Sequence, residues 1–114
     1  MDKNIKSSLM LDFYGNLLTD KQKEILTLYF DCDSSLSEIA VEFNTSRQAI
    51  YDSVKSAEKV LEETESKLKC VEKFLCNREI IIGCIKEINQ INNESPNKKL
   101  QNIAKKLEKV LQNQ

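Results

Sequence analysis

The chain has 114 residues, 31% of them charged, a formal net charge of −1, two Gly and one Pro. That length suits one domain with a modest core rather than several. The near-neutral balance lacks the basic excess of a general nucleic-acid binder, whose affinity comes largely from neutralised phosphates. With no Asn-Gly or Asp-Gly hairpin turn and no sustained period-two alternation, an all-α fold of long helices is expected.

Ile5, Leu9, Phe13 and Leu17 recur every fourth residue, which predicts an N-terminal amphipathic helix with those four inward. Thr19 and Gln22 form a capping box that opens a second helix through about Phe30, with Ile25, Leu26, Tyr29 and Phe30 inward. Asp31 to Ser35 reads as a polar loop. Ser35 and Glu38 then make another capping box, and Ile39, Ala40 and Phe43 give a third, short helix a small apolar face. Asn44 sits where the chain must turn, because Asn tolerates a left-handed backbone. Thr45 or Ser46 caps the next helix, which buries Ile50 and Val54, and Ala40 leaves room for the two helices to cross closely. The pattern from Leu36 to Tyr51 is that of a helix-turn-helix, with Arg47, Gln48 and Tyr51 on the exposed start of the second helix.

From Arg47 no Gly or Pro interrupts the chain before Gly83. Ile50, Val54, Ala57, Leu61, Thr64, Leu68, Val71 and Leu75 alternate in steps of four and three, a heptad seam that continues to Ile82 and Ile85. A helix that long either breaks near Glu62 to Ser66 or packs against a partner. A coiled coil between two copies and a hairpin folded back within one chain both satisfy the seam. Glu63 and Lys67 stand at ion-pair spacing on the solvent side. Asn89 to Asn97 is a polar linker, and composition divides the chain into residues 1–92 and 93–114. Ser95 as cap and Pro96 as first helical residue open a last helix to about Leu111. Its stripe of Leu100, Ile103, Ala104, Leu107 and Leu111 stands apart from Lys98, Lys99, Lys105, Lys106 and Lys109. Such basic amphipathic helices bind membranes, RNA or proteins, or serve as ordinary terminal helices with a solvated lysine face.

No catalytic constellation is visible, so no catalytic residue and no cofactor is expected. The chain has no His, the commonest general base, and no Gly-rich phosphate loop. Cys32, Cys70, Cys76 and Cys84 form no CxxC pair, so no metal site is expected, and they read as reduced, buried thiols of a cytoplasmic protein. The most apolar stretch, Ile80 to Ile85, is far too short for membrane insertion. Between Thr19 and Val60 five basic residues face eight acidic ones, a net charge of −3 on the helix-turn-helix and the helix before it.

The run from Leu11 to Leu68 resembles the YlxM family of small bacterial helix-turn-helix proteins. The resemblance rests on Asp12-Phe13-Tyr14, Leu17-Leu18-Thr19, Lys21-Gln22, Leu28-Tyr29, Leu36-x-Glu38-Ile39-Ala40 and Ser46-Arg47-Gln48-Ala49-Ile50-Tyr51-Asp52. It covers roughly Leu9 to Ile88, and the central part is more distantly similar to region 4 of bacterial sigma factors. The fold it implies is all-α, a helix-turn-helix followed by long C-terminal helices. Members of that family are encoded beside the signal recognition particle GTPase or its receptor. The resemblance therefore implies an accessory role in co-translational targeting, through the particle's GTPase, its RNA, or both. Sequence-specific DNA regulation is the alternative that the fold alone would imply. Under either reading Ser46, Arg47, Gln48, Tyr51 and Lys55 are the expected contacts, although Tyr51 could instead pack against Leu36 or Phe43. Lys98, Lys99, Lys105, Lys106 and Lys109 are the further contacts expected of the tail.

Overall fold

The computed structural model describes residues 3–113, and these form helices joined by short turns, with no strand among them. Helix α1 spans Lys3–Tyr14 and runs into a 3-10 turn at Gly15–Leu17. Helix α2, Asp20–Leu26, continues without a gap into a π-helical turn at Thr27–Asp31. Helix α3 is Leu36–Glu42, α4 Arg47–Leu68, α5 Cys70–Glu94 and α6 Lys98–Gln112. By compactness the chain forms two units, Met1–Val71 and Glu72–Gln114.

The first unit is built around α4, against which α1, α2 and α3 all pack. Its core is Met10, Leu11, Tyr14 and Leu18 from the N-terminal region, Ile25 and Leu26 from α2, Ile39 and Ala40 from α3, and Ile50, Val54, Ala57 and Leu61 from α4. Both capping boxes form as expected: Thr19 accepts from the Gln22 amide and Ser35 from the Glu38 amide, with each glutamine or glutamate side chain reaching back.

The buried face of α1 is not the one that a step of four predicts. Ile5, Phe13 and Leu17 are exposed, and Ser7, Met10, Leu11 and Tyr14 face the core. Each step of four advances 40° beyond a full turn, so four such residues wind off any single face; alternating threes and fours stay on it. Leu17 also lies past the end of the helix. Tyr29 and Phe30 are half-buried rather than fully inward, because the π turn widens the helix where they sit and sets their rings 5.3 Å apart.

The long helix does break, but at Lys69, just beyond the Glu62 to Ser66 window. Lys69 is left-handed, with φ 55° and ψ 31°. Its amide donates to the Glu65 carbonyl at 2.8 Å, an ordinary αL helix end. The heptad seam is interrupted there: Leu61 and Val71 are buried, but Leu68 between them is exposed. In place of Leu68, the buried Glu65 carboxylate holds the start of α5. Oε1 of Glu65 accepts from the Val71 amide at 3.0 Å and from the Tyr14 hydroxyl at 2.6 Å. The Tyr14 oxygen in turn accepts from the Cys70 amide at 3.1 Å.

In the second unit, α6 is capped by Asn97, not by Ser95. The Asn97 side chain accepts from the Lys99 and Leu100 amides, so the helix opens two residues later and leaves Pro96 outside it. An ion pair joins Lys55 and Glu58 at 4.0 Å, and none joins Glu63 to Lys67. The thiols are free but, against expectation, none is buried: Cys32, Cys76 and Cys84 are exposed and Cys70 half-buried. No described helix is long and apolar enough to cross a membrane.

Candidate functional site

Helix α3, a tight turn and the first half of α4 form the geometry that the sequence from Leu36 to Tyr51 predicts. The Ile39 and Ala40 side chains are buried beside Ile50 and Val54, and α3 and α4 are in contact. Between them Asn44 adopts φ 51°, the left-handed conformation expected of it. The Asn44 amide donates to the Val41 carbonyl at 3.2 Å and the Thr45 amide to that of Ala40 at 3.0 Å. The two bonds use two of α3's last free carbonyls and fix the turn. Ser46, rather than Thr45, is the cap of α4, its hydroxyl accepting from the Ala49 amide at 3.1 Å. At the other end of the motif, the Ser35 amide and hydroxyl hold the Glu38 carboxyl below the usual carboxylate range.

The expected contact residues come together on one exposed face. Ser46, Arg47, Gln48, Tyr51 and Lys55 are all exposed, on the outer side of the first three turns of α4. Tyr51 is 41% exposed, which places its ring outside the core formed by α3 and α4. The face is also knitted together by bonds within α4. The Gln48 amide donates to Asp52 Oδ1 at 3.0 Å. Lys55 Nζ stands 5.5 Å over the Tyr51 ring and 4.0 Å from Glu58. Asp52 and Glu58 are therefore part of the face, and their i+4 and i+3 spacings are the sequence signal for it. Each partly neutralises a residue that would otherwise present donors or positive charge outward.

The charge distribution over the chain is uneven. Residues 1–71 hold nine basic and thirteen acidic side chains, a net −4. Residues 72–114 hold eight basic and five acidic ones, a net +3. All five lysines of α6 are exposed, and no ion pair among the described residues holds any of them. On a helical wheel Lys98, Lys105 and Lys109 fall within about 40° of one another, and Lys99 and Lys106 lie together nearer the apolar stripe. The helix-turn-helix thus has the shape of a nucleic-acid reader, while the positive charge such a reader needs lies on another unit of the chain.

Fold and motif define a helix-turn-helix protein. The comparisons carry that further: the family model UPF0122, of YlxM/p13-like helix-turn-helix proteins, matches residues 1–111. The chain belongs to this family. A UPF0122 protein of Acetivibrio thermocellus is 41% identical over 112 residues, covering 98% of this chain and 96% of that one. Another, from Halalkalibacterium halodurans, is 47% identical over 81 residues, 71% of this chain and 74% of the relative. A third, from Bacillus thuringiensis, is 37% identical over 110 residues, 96% and 98% of the two chains. The similarity therefore reaches well beyond Leu9 to Ile88, through α6.

Proposed function

We propose that this protein is an accessory or regulatory factor of the signal recognition particle pathway and not an enzyme. It binds the particle's GTPase, its RNA or both. The pathway comes from the YlxM resemblance. The observation that carries the mode of binding is electrostatic: a well-formed helix-turn-helix sits in a unit of net charge −4. Duplex DNA repels such a surface at long range, and the Gln48 bond to Asp52 ties up one of the donors that base reading would use. A protein surface, or RNA held elsewhere on the chain, carries no such penalty. The exposed α4 face, Ser46, Arg47, Gln48, Tyr51 and Lys55, is the docking surface for the GTPase in this reading. The outward lysines of α6, Lys98, Lys105 and Lys109, supply phosphate contacts to the RNA. A recognition helix does not readily enter the deep, narrow major groove of A-form RNA, so shape and backbone contacts fit better than base reading.

Capture of the tagged full chain from a cell extract, with and without nuclease, tests this. Retention of the particle's GTPase after nuclease treatment is the expected result for the α4 face. Loss of both GTPase and RNA under all conditions would contradict the proposal.

Sequence-specific DNA regulation remains the second reading because Arg47 is exposed in the first turn of α4, where recognition helices contact bases. On that reading Arg47→Ala weakens binding to a cognate duplex by about 1–3 kcal/mol and relaxes its specificity.

A further inference from the structure

The second unit has too little core to stand alone. Within residues 72–113 Ala104 is the one buried side chain. The sheltered positions of α5 (Phe74, Ile81, Ile85, Ile88) and of α6 (Leu100, Leu107, Leu111) are only half-buried. Helices of this size owe their stability to tertiary packing of an apolar face, and two of them with half-covered faces leave that packing incomplete.

Beside its sheltered seam each helix carries a second stripe that nothing covers. On α5 it is Ile80, Cys84, Glu87 and Ile91; on α6 it is Lys99, Ile103, Lys106 and Val110. Both follow steps of four, three and four, the spacing of a coiled-coil seam. Ile80 is 61% exposed, Ile91 52%, Ile103 45% and Val110 47%. The charges inside the two stripes are opposite: one holds a glutamate, the other two lysines.

We propose that a second copy of this chain covers these stripes, each α5 stripe lying against the α6 stripe of the other copy in a four-helix bundle. The apolar residues of one stripe meet those of the other, and Glu87 meets Lys99 and Lys106 of the second copy. The same charges select the arrangement, since α5 on α5 would bring Glu87 against Glu87 and α6 on α6 would bring lysine against lysine. The pairing is satisfied twice by a two-fold axis, so it closes at two copies and does not propagate. A lipid surface fits less well: Glu87 lies in the stripe, and neither stripe carries the Trp or Phe anchor of an interfacial helix. A nucleic acid does not fit the α5 stripe, which has no cation. Lys98, Lys105 and Lys109 lie outside both stripes and stay available in the dimer.

Sedimentation equilibrium of the pure full chain at micromolar concentration and ~0.15 M salt tests the proposal without any component of the particle. A dimer is expected. Ile80→Glu with Ile91→Glu should give a monomer, with far-ultraviolet circular dichroism reporting whether the first unit stays folded. The exposed charges give a test that does not depend on folding. Glu87→Lys should weaken the dimer about tenfold, and adding Lys99→Glu and Lys106→Glu should restore it. A monomer from the unaltered chain would overturn the proposal. So would a dimer indifferent to Glu87→Lys, or a triple exchange that fails to restore it.

Discussion

Tyr14 and Glu65 join the two ends of the first unit through a single buried hydrogen bond of 2.6 Å. Its carboxylate acceptor makes it one of the stronger kinds of bond, and it also positions the oxygens that receive the Cys70 and Val71 amides. Tyr14→Phe removes the bond and leaves a buried acceptor and the Cys70 amide short of a partner. Chemical denaturation should show a loss of about 2 kcal/mol. A loss within experimental scatter would mean the network is decorative. Burial, then the bond to Glu65, pushes the Tyr14 phenol far above its ordinary value. The folded chain therefore holds that proton more tightly than the unfolded chain does. The stabilisation it represents is fully present below the unfolded pKa of about 10 and is lost as pH rises from there toward the folded value. A stability profile above pH ~10 should fall more steeply for the unaltered chain than for Tyr14→Phe. Glu38 works in the opposite direction. Its depressed folded pKa gives a contribution that is present above the unfolded carboxylate range and is lost as pH falls through the folded value.

At the level of helices, the caps and the turn of the first unit were legible, while the irregular backbone and the start of α6 were not. Thr19 with Gln22, Ser35 with Glu38, Asn44 and Ser46 stand where local hydrogen bonding dictates, because those bonds join residues three apart. The same locality put the α3–α4 face within reach of sequence reasoning. Two features depended on distant partners. The end of α4 at Lys69 needs Tyr14, more than fifty residues earlier, to trap the start of α5. The buried face of α1 is chosen by α4 and the π turn, not by α1's own apolar spacing. The π turn at Thr27–Asp31 leaves no mark in composition that separates it from ordinary helix. The apolar seam, for its part, ran across the break because Val71 is buried on both accounts. Lys69 gives a direct test of the break. In a left-handed helix end Lys69→Gly relieves strain and should stabilise by up to about 1 kcal/mol, whereas inside a continuous helix it would destabilise by a similar amount. The sign of the change decides between the two.

Taken whole, the chain separates shape from charge. The unit with the helix-turn-helix is net −4, and the unit with the lysine helix is net +3. If RNA is held by α6, binding should weaken with salt in proportion to the lysines engaged. Replacing Lys98, Lys105 and Lys109 by Gln should flatten the slope of log K against log salt by roughly 2 to 3. Arg47→Ala should leave that slope nearly unchanged while weakening a GTPase bound at the α4 face. Equal loss of RNA affinity from both sets of changes would place the nucleic acid on the helix-turn-helix after all.

The most direct measurement is fluorescence anisotropy of the pure chain at ~0.15 M salt, with labelled signal-recognition-particle RNA, with and without the GTPase, against sheared duplex DNA. Binding that depends on the particle's RNA or GTPase and exceeds binding to duplex DNA is the predicted result. A preference for DNA fragments, unmoved by either component, would contradict it and make this acidic helix-turn-helix a regulator of transcription.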